Sequence, residues 1–566
     1  MSPTPDRNPH LPRSGVPDRL AATMSIADQH EYLRSRRRRS VSRRGLLTAI
    51  GVGAAAVSLL GTSSSSAGAR RAPSLLSGTN YVDGNALKPS GRHLALGADP
   101  RSSAAMSWQV PQPVRRPYLR LGTSPKQLDQ VVPAEIRHLH SHLIEYADNP
   151  DSAYFDYDQY HLHAALDGLD PGTRYYYALG HEGLDTGSVA ATLGSFTTAP
   201  AAVGVPEPFT FTAFGDEGVE FGAAANQTLM LRQKPVFHLL AGDISYAASG
   251  AGLPSSHHSA NGADKLQPEV WDEYLRMIDP VAATVPWMVA MGNHDMEALY
   301  SPDGYGGHLA RWHLPGNGPR NSHATYGFTY GNVAVVSLDA NDISHEIPHN
   351  RGYTGGAQTA WLAGHLAQVR RTPGIDFVVA FFHHCAYCTA TDHVSDGSIR
   401  EEWIPLFDRY EVDLVINGHN HVYERADPMR AGVRTRRAAI GDRIHPATDG
   451  TTYLTVGSGG KSGYEFSAPE TYAGGPADVT DAVKGGYYTK GGKLDETVEW
   501  SRVRFRGNAF IAVDVRPAAA GRETTMTIRT LSATGAQIDT VTLARTAGTA
   551  IPSGTVRERR GEGTRG

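Results

Sequence analysis

Six apolar runs in the middle of this 566-residue chain end in residues that can give oxygen or nitrogen to a metal ion. FTFTAFGD ends on Asp216, KPVFHLLAGD reaches Asp243 with Tyr246 three residues on, and WMVAMGNHD reaches Asn293 and His294. VAVVSLDA ends near Asp339, DFVVAFFHH reaches His383, and VDLVINGHNH sets His419 and His421 one residue apart behind a glycine. Each has an ordinary explanation when taken alone. Asp216, Asp243 or Asn293 could cap a helix, and His383 could be a satisfied core histidine. Taken together, carboxylates, an amide, a phenol and imidazoles suit iron, zinc or manganese better than calcium. Asp339 is the member least clearly tied to a ligand role.

The runs that would position these groups are apolar throughout, as strands covered on both faces are. Helical stretches such as PEVWDEYLRMIDPVAA and TAWLAGHLAQVRR fall between several of them. In open α/β sheets the ligand site lies at the carboxyl ends of the strands, which is where these polar residues cluster. TTYLTVGSGG, FIAVDVRP and TTMTIRTL read as further strands of the same domain, expected over residues 208–545. Residues 91–200 have a different texture, with short alternating strands between Gly, Pro and Asp turns, which signals an antiparallel sandwich. The Pro- and Ala-rich segment Thr197 to Pro208 links the two, and residues 550–566 read as a disordered polar tail.

The ordered series GDEG, GDISY, GNHD, a Val-rich strand ending in His383, and GHNH resembles the five motifs of purple acid phosphatases, within the binuclear metallophosphoesterases. The tyrosine three residues after Asp243 is the most specific element, and LDGLDPGTRYYYALG in the sandwich resembles a fibronectin type III strand-turn-strand. The resemblance implies an α/β (α+β) four-layer metallophosphoesterase sandwich with mixed sheets, preceded by an all-β immunoglobulin/fibronectin III-like domain. It implies a ferric ion on Asp216, Asp243, Tyr246 and His421. A divalent Fe, Zn or Mn would sit on Asp243, Asn293, His383 and His419, with Asp243 bridging. His294 is the first candidate for proton donor to the leaving alkoxide. His393, ten residues beyond His383, resembles a histidine that the family places beside the metal ligands. The chain departs from the family at Cys385, where proline is common, and in the Gly/Ser-rich insertion after Tyr246 that carries His257 and His258.

The implied activity is an exported acid phosphatase acting on small phosphate monoesters. A phosphodiesterase or nucleotide-directed hydrolase on the same metal pair is the nearest alternative, and a non-catalytic metal- or phosphate-binding surface protein a remoter one. Export is read from the N-terminus. Basic residues from Arg34 to Arg44 precede the apolar run Leu46 to Gly61 and a small-residue stretch ending at Ala69, with Arg43 and Arg44 paired as in twin-arginine signals. Residues 1–69 are therefore expected to lie outside the fold, followed by a linker over residues 70–90. The leader carries ten arginines against four acidic residues, so the remainder shifts from the whole chain's −4 to about −10. That balance excludes a nucleic-acid backbone as main partner, and no stable membrane span is expected once the signal is removed. With two cysteines, Cys385 and Cys388, the chain is not a disulfide scaffold; their spacing allows a small-loop disulfide, a redox pair or two unpaired thiols.

Overall fold

The computed structural model describes residues 15–26, 28–36, 84–144, 154–201, 207–248, 266–297, 299–461, 463–471 and 482–548. Alternation of apolar and polar residues gives the first domain its two faces. One antiparallel sheet has the order Ser90–Leu96, Ala104–Val110, Tyr154–Leu166, Glu135–Ile144; the other runs Gln130–Pro133, Tyr118–Gly122, Arg174–Gly180, Gly194–Thr197. Their inward residues, among them Met106, Trp108, Leu121, Leu162 and Tyr177, form one core. Leu87 belongs to it too, so the end of the expected linker is part of the sandwich.

The second domain contains two seven-stranded mixed sheets. The first is ordered Trp287–Val289, His238–Leu240, Phe209–Phe214, Ala509–Arg516, Glu523–Ser532, Gln537–Thr546, Arg443–Ile444. The second is ordered Tyr326–Tyr330, Val333–Ser337, Phe377–Phe382, Leu414–Asn417, Thr452–Val456, Tyr423–Ala426, Ser501–Phe505. Period-two alternation within the second sheet explains its unbroken apolar runs. Val335, Val379, Phe381 and Ile416 pack into the layer shared with the first sheet, while Val336, Ala380, Phe382 and Val415 pack outward. Outward they meet Leu362 and Leu366 of helix Ala357–Val369 and Phe407 of helix Ile404–Arg409. Helices Phe221–Arg232 and Pro268–Ala282 join the core of the first sheet through Met230, Leu275 and Ile278. The result is the expected four-layer α/β arrangement behind an all-β sandwich.

The three leading strands of the first sheet run parallel, and so do Val333–Ser337, Phe377–Phe382 and Leu414–Asn417 in the second. Each of these six strands ends in one of the turns singled out from sequence. Sandwich and catalytic domain are joined by polar contacts: Arg92 Nη2 reaches Asp279 at 2.7 Å, and Tyr177 donates to the Ala283 carbonyl at 2.7 Å.

Residues 15–26 and 28–36, part of the stretch read from sequence as a leader, pack on the catalytic domain. Val16 is fully buried and exchanges backbone hydrogen bonds with Val219 and Phe221, both at 3.0 Å. Asp18 accepts from the Gly222 N–H at 2.6 Å, and a His30 ring nitrogen meets the Tyr246 carbonyl at 2.8 Å. Most of this packed stretch precedes the basic run that begins at Arg34, and Arg34 itself pairs with Glu269. The apolar run after Arg44, the insertion over 249–265 with His257 and His258, and the 550–566 tail lie outside the described residues. Among the described residues no helix is long and apolar enough to cross a membrane.

Candidate metal centre

The two sheets bring their parallel strands' carboxyl ends to one seam. Asp216 follows Phe209–Phe214, Asp243 follows His238–Leu240, Asn293 follows Trp287–Val289, His383 follows Phe377–Phe382, and His419 and His421 follow Leu414–Asn417. Donor atoms of Asp216, Asp243 and His383 lie within 4.8 Å of one another, and all three residues are buried. Asn293 Oδ1 is 3.0 Å and Asp243 Oδ2 3.2 Å from His383 Nε2. The Tyr246 hydroxyl donates to Asp216 Oδ1 at 2.9 Å and stands 2.8 Å from His421 Nε2. His419 Nδ1 is 3.2 Å from His383 Nε2. The structure thus brings together all seven residues anticipated as ligands.

The backbone is bent to achieve this. Asp216, Asp243, Tyr246 and His419 sit at φ of 58°, 50°, 56° and 68°, a left-handed conformation that non-glycine residues seldom adopt. Strain of this kind persists where the surroundings over-determine it, and here it recurs at four of the seven donors. Glycines make room for the bends: a Cβ on Gly292 would collide with Asp243 Oδ1, and one on Gly418 with Asp216 Oδ2 at 2.5 Å. Backbone N–H groups then fix the carboxylates, with His294 donating to Asp243 Oδ1 at 2.8 Å and His419 to Asp216 Oδ2 at 2.7 Å. Asp295 fastens two turns at once, accepting from Ile244 at 2.9 Å and Gly292 at 2.8 Å.

Electrostatics show what the site lacks. Among the described residues no lysine or arginine pairs with Asp216 or Asp243; their ionic neighbours are His421 and His383. Burial alone would push His383 down, but the Asp243 and Asp216 carboxylates overcome it and raise the imidazole to about 10. Burial would likewise raise Asp243, yet the His383 and His294 charges hold it well below the carboxylate range. Two buried carboxylates compensated only by imidazoles make a donor set fitted to cations, and hard oxygens beside imidazole and amide nitrogen and oxygen suit iron, zinc or manganese.

The proton-donor candidates flank this cluster. His294 is half-buried, with Nδ1 2.9 Å from the Ala248 carbonyl. The His393 ring lies tilted against that of His419, with centroids 4.1 Å apart, and its Nδ1 meets Glu346 Oε1 at 2.5 Å. Burial pulls His393 down, but the Glu346 hydrogen bond and charge prevail and raise it above the ordinary imidazole value. Asp339 is not among the clustered donors. It caps the short helix Ala340–Asp342 and accepts from Tyr305 and, at 2.8 Å, Tyr353, while neighbouring Asn341 braces the Gly292 carbonyl at 3.2 Å.

Two residues beside the cluster escaped the sequence reading. Glu346 Oε2 takes His419 Nε2 at 2.9 Å while its other oxygen takes His393, so one carboxylate orients a ligand and a neighbour together. Tyr464 stacks on His421 with centroids 4.0 Å apart. Glu346 belongs to NDISHEIPHN, a stretch with no strand-end signal, and reaches the site because Asp396 gathers the backbone N–H groups of His345 and Glu346 at 3.0 and 3.3 Å. Cys385 and Cys388 are free, buried thiols. Cys385 donates to the Gly418 carbonyl at 2.9 Å and accepts from Asn420 at 3.4 Å, so it braces the GHNH turn and draws Asn420 away from the donors.

Comparison with known proteins agrees with this geometry. A family model described as the purple acid phosphatase N-terminal domain matches residues 89–198, and one described as calcineurin-like phosphoesterase matches residues 209–423. An uncharacterised protein of Mycobacterium tuberculosis is 32% identical over 536 residues, covering 88% of this chain and 94% of that one. Purple acid phosphatase 23 of Arabidopsis thaliana is 30% identical over 310 residues, which is 53% of this chain and 62% of the relative. The fold is similar to that of a purple acid phosphatase from yellow lupin, Lupinus luteus, with a TM-score of 0.58 over 83% of this chain and 78% of that chain at 19% identity. Fold and site together define a binuclear metallophosphoesterase. The chain belongs to the calcineurin-like phosphoesterases of the purple acid phosphatase type.

Proposed function

We propose that this phosphoesterase is an exported acid phosphatase acting on small phosphate monoesters. It would hold a ferric ion on Asp216, Asp243, Tyr246 and His421, and a divalent Fe, Zn or Mn on Asp243, Asn293, His383 and His419. The observation that carries the reading is the convergence of Asp216, Asp243 and His383 donors within 4.8 Å, with both aspartates at turns bent into a left-handed backbone. When bound, the two ions would supply Lewis-acid stabilisation of phosphate oxygens and acidify a water.

The chain's own residues prepare that chemistry. His383 gives its Nδ1–H to the Ala241 carbonyl at 2.9 Å, leaving Nε2 as the donor atom toward Asp243 and Asn293. His419 is turned the opposite way, with Nε2 on Glu346 and Nδ1 toward His383. Each ring thus has its far nitrogen fixed by an oxygen, which orients the near one. His294 and His393 each have one ring nitrogen engaged, on Ala248 and Glu346, and offer the other to a phosphate oxygen or the leaving group.

Purified protein carrying its metals should hydrolyse p-nitrophenyl phosphate faster than bis(p-nitrophenyl) phosphate; the reverse order would assign a phosphodiesterase instead. Tyr246→Phe should lose visible charge-transfer absorption, whereas a colourless wild-type enzyme would reject the ferric assignment. Arg43 and Arg44 support twin-arginine export. Replacing both with lysine should leave the protein inside the cell, and unchanged export would reject that route.

A further inference from the structure

We propose that the exposed stretch of the sandwich's edge strand, on the face turned away from the catalytic domain and beyond Ile136 and Tyr160 of the sandwich core, carries a second metal site, in which His138, His140 and Asp158 hold one borderline divalent ion, Zn2+ or Cu2+, with His142 and Asp156 beside it. The site belongs to the N-terminal domain and stands apart from the binuclear centre.

Strand periodicity builds it. Along Glu135–Ile144 the odd-numbered residues turn toward the catalytic domain: Arg137 Nη1 donates to the Trp312 carbonyl at 3.1 Å, Ser141 Oγ is 2.6 Å from the Tyr300 hydroxyl, and Leu139 is buried. The even-numbered positions, His138, His140 and His142, must then share the opposite, solvent-facing side. The antiparallel register sets Asp158 across from His140 and Asp156 across from His142. Three imidazoles and two carboxylates therefore occupy one patch.

Geometry within the patch is that of a donor set. Asp158 Oδ1 lies 2.6 Å from His138 Nε2 and 3.0 Å from His140 Nδ1, so one carboxylate oxygen sits between two imidazole nitrogens. Asp156 Oδ1 lies 2.7 Å from His142 Nδ1 and 3.7 Å from His140 Nε2. One donor atom from each of His138, His140 and Asp158 falls within 4.8 Å of the others. Among the described residues no lysine or arginine pairs with either aspartate; histidine is their ionic partner throughout. Burial would raise Asp158, but hydrogen bonds from His140 and His138 prevail and hold it below its ordinary value.

Chemistry selects the ion. Two imidazole nitrogens and a carboxylate oxygen match zinc and copper, and suit calcium or magnesium poorly because those demand oxygen cages. The side chains are 42–54% exposed, so an ion can enter from solvent and complete its coordination with water. Protecting an edge strand from pairing needs only charge, which lysine would supply; histidines at alternate positions matched across by aspartates add ligands. Occupation would clamp together the two strands whose other face docks on the catalytic domain.

Zn2+ alone, added to the metal-loaded enzyme in a calorimetric titration, tests the site. One further ion per chain with micromolar affinity is expected. The double variant His140→Ala/Asp158→Asn should weaken it at least tenfold while leaving the binuclear metal content and p-nitrophenyl phosphate turnover unchanged. Cu2+ in place of Zn2+ should show nitrogen hyperfine splitting that the variant loses. The proposal is overturned if the wild type takes up no ion beyond the binuclear pair, or if the variant binds the extra ion as tightly as the wild type.

Discussion

His419 and His421 share one turn yet face different neighbours. His419 lies between His383 and Glu346, and His421 between Tyr246 and the Tyr464 ring. Their spacing was legible because a glycine and a strand end frame them; the same frame marked Asp216, Asp243 and Asn293, while His383 was marked by its strand end alone. Glu346 was not legible: it sits in a loop, its partners are 47 and 73 residues away, and only the fold of the Asp396 region brings it in. Its consequence can be tested. A carboxylate that fixes a ligand's tautomer typically accounts for about 10–100-fold in metal affinity. Glu346→Gln should therefore release the divalent ion to a chelator at roughly 10–100-fold lower chelator concentration. Unchanged chelator sensitivity would mean that Glu346 only packs. Gly292→Ala should lose metal and stability together, since the new Cβ meets both the Asp243 carboxylate and the Asp243 backbone nitrogen; metal content and melting temperature of the purified variant decide it.

At the scale of elements, the apolar runs were read correctly as strands because burial on both faces removes the usual alternation. What the runs could not reveal is that three belong to one sheet and three to another. Strand order depends on long-range pairing, such as Ala509–Arg516 returning beside Phe209–Phe214, some 300 residues later. The packing of the N-terminal segment was not legible. Composition marked the leader as a unit, while Val16, Ala21 and Leu33 supply a small apolar face that packs on the catalytic core. Removing residues 1–36 should loosen the Tyr246 turn, because His30 holds the Tyr246 carbonyl at 2.8 Å. Faster amide exchange over residues 244–248 in the truncated protein is the expected result, and unchanged protection would mean that the segment is passive. Val16→Ala, which empties a fully buried site, should cost about 2 kcal/mol in chemical denaturation.

For the whole molecule, the junction between sandwich and catalytic domain sets a pH limit. His161 and His163 are buried at that junction, and burial pushes both well below the ordinary imidazole value. The neutral His163 ring is satisfied by Ser107 at 2.7 Å and the Ala310 carbonyl at 2.8 Å. A base whose folded pKa is depressed contributes no penalty above its unfolded value of 6.5. Below that pH the unfolded chain binds the proton and the folded chain does not, so stability falls as pH drops toward the folded value. Melting temperature should thus decline below about pH 6.5, and less steeply in His163→Gln. A flat profile in the wild type would remove the junction from the account.

The proposed function turns on Asp243, which would take part in holding both of the ions on which hydrolysis would depend. Metal analysis of purified wild type and Asp243→Asn, each assayed on p-nitrophenyl phosphate, tests it most directly. Two ions per chain and turnover in the wild type, with both lost together in the variant, is the predicted result. A variant that retains wild-type turnover with fewer than two ions would contradict it.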